Sequence, residues 1–119
     1  MKRGEIWTAS GGKDYAGKPR PVVIVQDDSF DATDSVTVCA FTTDASHAPL
    51  FRLAVEPDEH NGLQMACKMM VDKITTIPKS NLGNRIGQLG EDDMMRFNRA
   101  ALVFQGLAGP VRAERKTST

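Results

Sequence analysis

The hydrophobic period of this chain changes once, at Gly90, and that change limits what it can fold into. Before Gly90, apolar residues come in short runs, β-branched or alternating, separated by turn residues. This is the pattern of strands rather than helices. After Gly90, Met94, Phe97, Ala101 and Phe104 recur at spacings of three and four, with Met95 and Leu102 beside them. That is one stripe of an amphipathic helix. Glu91, Asp92 and Asp93 put acids where a helix N-terminus is positive, and Gly106 supplies a stop. The period predicts a helix of about 16 residues, ~24 Å long.

Strands are predicted over residues 5–10, 21–26, 35–43, 51–56, 67–77 and 85–89. The run Val22–Val25 is too short for a helix and reads as a buried strand. In residues 51–56, Phe51, Leu53 and Val55 share one face and Arg52, Ala54 and Glu56 the other. Residues 35–43 alternate at first and then become continuously apolar. Several short strands and one terminal helix predict a mostly β fold, a small antiparallel barrel or curled sheet with the helix packed on it. Residues 1–109 form one domain in this reading. Residues 110–119 follow Pro110 without any period and are expected to be a flexible tail.

With 119 residues, 40% apolar and 25% charged, the composition supports one hydrophobic core and argues against disorder. The longest wholly apolar run has five residues, Ala100–Phe104, far short of a membrane span. No apolar signal region follows Met1–Glu5, so a cytoplasmic chain is expected, with Cys39 and Cys67 as reduced thiols. No Cys-x-x-Cys or His-x-x-x-His spacing announces a metal site. Net charge is zero but uneven: residues 1–20 carry net +3, 21–62 net −7 and 63–90 net +3. Two segments can therefore offer a local positive surface to an anion.

Motifs for acyl transfer, nucleotide binding and zinc proteolysis are missing. Cys39 sits in an apolar strand and reads as a small core residue. His47 and His60 lie in loops, and as an acid–base pair they could serve RNA cleavage, but nothing in the sequence brings them together. The junction Tyr15-Ala16-Gly17-Lys18-Pro19-Arg20-Pro21 is more informative. Two prolines restrict the backbone around Arg20 and a buried strand anchors it. A fixed guanidinium suits a phosphate, since its planar fork matches two oxygens; the alternative is an arginine paired with a nearby acid.

The series Met1–Trp7, Gly17–Val25, Val38–Thr43, Val71–Ile77 and Arg85–Leu89, closed by the helix, resembles the MazF/PemK toxins of bacterial toxin–antitoxin pairs. The resemblance covers residues 1–108. It implies a sequence-selective, metal-independent endoribonuclease acting on single-stranded RNA (an mRNA interferase), with no cofactor. It also implies a homodimer of small β-barrels of the CcdB/MazF type and a cognate antitoxin protein as partner.

The resemblance assigns catalytic roles to Arg20 and Thr42, with Thr43 as a substitute, and matches Asp72 to an acid that some relatives use in acid–base chemistry. The loop before Arg20 departs from the common pattern: Asp14 and Tyr15 stand where many relatives carry Ser and Glu. The general base is therefore Asp14 or Asp72. Met70 stands where some relatives have an arginine. Lys13, Lys18 and Tyr15 are expected to bind RNA, Tyr15 by stacking, with Phe51 the next stacking candidate and a core position the other reading of it. The loop 11–19, with its glycines and lysines, is expected to be mobile and to be the antitoxin's point of control. Two alternatives stay open, a CcdB-like gyrase poison without catalysis and an inactive binding-only member.

Overall fold

The computed structural model describes residues 1–10, 18–44 and 51–109. Lys13, Asp14, Tyr15, most of the loop 11–19, His47 and the tail 110–119 lie outside the described residues. Six strands run β1 Glu5–Ala9, β2 Arg20–Ile24, β3 Ser35–Thr42, β4 Arg52–Val55, β5 Cys67–Pro78 and β6 Leu82–Gln88, followed by helix α1, Glu91–Phe104. They form one antiparallel sheet in the order β4-β5-β3-β2-β1-β6.

The central strands explain the sequence pattern. β2 and β3 are buried on both faces. Val22, Ile24, Val36, Val38 and Ala40 point to one core. Val23, Cys39 and Phe41 point to the other, which lies beneath α1. A strand covered on both sides has no polar face to show, so the alternation of β3 fades toward its end.

The sheet coils strongly. β5 and β6 are joined by a single 3-10 turn, Lys79–Asn81, yet four ladder steps separate them in the sheet. In a flat sheet those steps would span roughly 19 Å. The four peptide steps from Pro78 to Leu82 reach about 14 Å at most. Coiling brings Ile77 and Leu82 over Ala9 and Val22, and the second core fills the space between.

The sheet is not closed into the barrel that the sequence predicts. β4 and β6 remain its edges. β4 has only four residues, and the loop that follows it stands in place of a closing ladder. The Gln88 N–H donates to the His60 carbonyl at 2.8 Å. Asn61, fully buried, organises this loop: its amide donates to the Glu56 carbonyl (2.9 Å) and its Oδ1 accepts from the Leu63 N–H (3.0 Å). Gly62 takes φ +69°, and a Cβ there would sit 2.0 Å from the Ile86 carbonyl oxygen. A Cβ on Gly87 would sit 2.3 Å from the Asn61 carbonyl carbon. Only two glycines facing each other let the backbones approach so closely.

Helix α1 has 14 residues, shorter than its period predicts, because the backbone turns at Gln105 and Gly106 takes φ +77°. Phe97 and Ala100 are buried, with Met94 and Ala101 partly so. Phe104, expected in the same stripe, is half exposed and rests on Phe51, ring centroids 5.9 Å apart. Phe51 thus packs between core and helix end. The Arg96 guanidinium donates to the Ala54 carbonyl at 2.9 Å, and Arg3 donates to Val25 and Asn98 while lying over the Phe97 ring. These bonds fix the helix against the sheet.

Candidate functional site

β2 opens with Arg20 and β3 ends with Thr42. Val22 stands opposite Ala40 in the antiparallel register. Two residues further along both strands, that register carries Arg20 towards Thr42. Both line one cleft of about 870 Å³, walled by Pro19 and Pro21 on one side and Leu63, Gln64 and Met65 on the other. Thr43 and Lys73 line it as well, as do Thr8 and Thr75. The described lining holds two cations, Arg20 and Lys73, and no carboxylate. Arg20 is exposed and makes no ion pair among the described residues.

Thr42 is aimed by its own turn. Its Oγ1 accepts the Asp44 N–H at 3.1 Å, so its hydroxyl hydrogen is available for another acceptor. Lys18 is exposed two residues before Arg20, at the approach to the cleft rather than in its lining.

Asp72 does not line the cleft. Arg52 donates to it twice, Nε to Oδ1 at 2.8 Å and Nη2 to Oδ2 at 2.9 Å. The Arg52 hydrogen bonds hold its carboxyl below the usual carboxylate range, and Asp72 raises Arg52 in turn. Arg52 lies directly across the ladder from Met70 and over the Phe51 ring. The sequence reading passed over Arg52. Its signal was that it is the one base among the 42 residues from 21 to 62.

Both thiols are suppressed by burial, Cys39 pushed up to about 12 and Cys67 to about 11. Neither is an available nucleophile at neutral pH. Among the described residues, no group of three His, Cys, Asp or Glu could hold a metal ion, and no helix is long and apolar enough to cross a membrane.

Residues 2–104 match the family model described as PemK-like, MazF-like toxin of type II toxin–antitoxin system. The chain belongs to that family. It is 54% identical, over 92% of its own length and all of the relative's, to a probable endoribonuclease MazF of Mycolicibacterium smegmatis. Among solved structures it resembles the Mycobacterium tuberculosis toxin MazF-mt6, with 28% identity, a TM-score of 0.68, and coverage of 82% of this chain and 92% of that one. A mycobacterial endoribonuclease solved in complex with its cognate antitoxin shares the fold at 24% identity and a TM-score of 0.76, covering 92% and 99% of the two chains. The family favours the endoribonuclease over the gyrase-binding alternative.

Proposed function

We infer that this chain is an endoribonuclease toxin that cuts single-stranded RNA by attack of the RNA's own 2′-OH, and that an antitoxin protein neutralises it. The observation that carries the chemistry is the cleft that holds Arg20, Thr42 and Lys73 with no carboxylate among its described lining. Such a site favours an anion, and threonine hydroxyls beside a guanidinium suit phosphate oxygens.

In this mechanism the 2′-oxygen attacks the adjacent phosphorus and the bond from phosphorus to O5′ breaks. The products are a 2′,3′-cyclic phosphate and a 5′-OH. The 2′-OH proton goes to a base, and the leaving O5′ gains one. Extra negative charge gathers on the non-bridging oxygens in between. Arg20 meets that charge with its fork of N–H donors, and the Thr42 hydroxyl, aimed by the Asp44 N–H, adds a further donor. Donors fixed before charge develops need no reorganisation during the reaction, which is why they stabilise a transition state so strongly.

Asp14, in the segment leading to β2, is our proposed base; it needs a carboxyl pKa raised toward neutrality. Lys13, Lys18, Tyr15 and Thr43 are proposed to hold flanking nucleotides. The family resemblance supports a homodimer, and the chemistry requires no metal, since the nucleophile is internal to the substrate.

The test is cleavage of single-stranded RNA by purified protein in EDTA, with the new ends mapped. A 5′-OH and a cyclic phosphate are expected. Arg20→Ala should fold as the native chain does and lose at least about 100-fold in rate. Full activity of that variant, or abolition of native activity by EDTA, would overturn the mechanism.

A further inference from the structure

β5 contains an irregularity that decides which way one lysine faces. Along the β3–β5 ladder Cys39 pairs with Ile74, and the next pair is Phe41 with Met69. Between these pairs β3 has the single residue Ala40, while β5 has four, Met70 to Lys73. β5 therefore carries three residues more than its partner. Side chains alternate with period two along a strand, so an odd excess flips the parity. Met69 and Val71 point into the core under α1. In an uninterrupted strand Lys73 would follow them into that core. Instead it is exposed and lines the cleft that Arg20 and Thr42 line.

The irregularity is pinned from the neighbouring strand. The Val71 N–H donates to the Phe51 carbonyl at 2.9 Å, and Arg52 grips Asp72 through two bonds. The pair is mostly buried, with the Arg52 and Asp72 side chains 14% and 20% exposed. A fork engaged at both oxygens fixes orientation as well as distance. It also occupies the carboxylate nearest in sequence to Lys73. Lys73 itself makes no ion pair among the described residues. Lys73 thus brings a positive charge to a cleft wall whose described lining holds no carboxylate, with Asp72 behind it already engaged by Arg52.

We propose that Lys73 is a second phosphate-contacting group of the cleft, and that Arg52–Asp72 is a positioning pair that keeps the β5 irregularity in the form that turns Lys73 toward RNA. This rests on the endoribonuclease reading. Arg20 and Lys73 rise from β2 and β5, two strand spacings apart across β3, roughly 10 Å. Two long side chains rising from that separation can converge on phosphates of one strand, Arg20 at the scissile group and Lys73 at a flanking one. Asp72 acts through Arg52 and the backbone, not on the 2′-OH.

The test reads binding separately from cleavage. The probe is a fluorescein-labelled single-stranded 2′-O-methyl RNA containing every dinucleotide step, which cannot supply the attacking hydroxyl. Its affinity is measured by anisotropy across a range of salt. A single-stranded phosphate contact contributes about 0.7 to the slope of log affinity against log salt. Lys73→Gln should lower the slope by about that amount and weaken binding roughly tenfold at low salt. On cleavable RNA its KM should rise more than its kcat falls. Lys73→Arg should keep the slope. Asp72→Asn should lose slope as Lys73→Gln does, while the pH dependence of its kcat keeps the native form.

A native slope in Lys73→Gln overturns the phosphate contact. If Asp72→Asn keeps the slope but collapses kcat with a lost acidic limb, Asp72 is the general base and the positioning role is wrong. Failure of the native protein to cleave any RNA would instead count against the endoribonuclease reading, and the slopes would still decide the role of Lys73.

Discussion

Gly62→Ala should cost this protein about 3–4 kcal/mol, because two independent demands meet at that residue. Its φ of +69° is a left-handed conformation, worth roughly 1–2 kcal/mol against any residue with a Cβ. The added Cβ would also lie 2.0 Å from the Ile86 carbonyl oxygen, so the loop has to lift off β6. Lifting it breaks the bond from the Gln88 N–H to His60, about 1 kcal/mol, and exposes the bonds that satisfy buried Asn61, about 1 kcal/mol more. At roughly 3–5 °C per kcal/mol for a chain of this size, the melting point should fall by roughly 10–20 °C. Thermal melts followed by circular dichroism measure it, with urea midpoints as a second readout. Gly90→Ser serves as a control of opposite sign. Gly90 caps α1 without a side-chain bond and in open space, so a serine hydroxyl should stabilise. Since Leu63, Gln64 and Met65 belong to the cleft wall, the Gly62 variant should also bind RNA more weakly at temperatures where it is folded. A melting point within about 2 °C of native, with native RNA affinity, would refute the seated-loop argument.

Thr42→Val keeps shape and removes the hydroxyl; kcat should fall roughly 100-fold while Thr42→Ser stays near native, checked by single-turnover cleavage. The Arg52–Asp72 pair should stabilise the fold fully above the unfolded carboxylate value of 3.8 and lose that contribution as pH falls toward the lower folded value. Unfolding free energies from urea titrations of the native chain and Asp72→Asn should therefore differ by about 2 kcal/mol at neutral pH and converge as pH falls through the lowered folded value. Light scattering should give twice the 13.0 kDa of one chain; a monomer mass at micromolar concentration would exclude the homodimer.

How much of this was legible in the sequence follows from whether a feature is local. The run Val22–Val25 and the three-and-four spacing around Phe97 gave strand and helix, because burial period is written in neighbouring residues. The place of Arg20 at the head of β2 was legible for the same reason, between two prolines ahead of a buried strand. Thr42 drew notice only through resemblance. Barrel closure was misread because edge strands are defined by what fails to pair, and the seating of Gly62 on Ile86 joins positions 24 residues apart in sequence. Arg52 was missed because its partner is set by ladder register. Yet Asp72 and Lys73, adjacent charges inside a strand of apolar residues, were a local sign that the alternation breaks there.

The two suppressed thiols give the molecule a pair of built-in clocks. Cys39 lies in the centre of the sheet with no exposure, so a thiol reagent can reach it only when the ladders on both sides of β3 part. Cys67 starts β5 at the cleft wall, where release of the preceding loop would uncover it with the sheet intact. Labelling rates at the two positions would therefore time different events, breathing of the substrate cleft at Cys67 and rupture of the whole fold at Cys39. A bound RNA or antitoxin that closes the cleft would slow the first clock directly, and would touch the second only through the added stability of the complex.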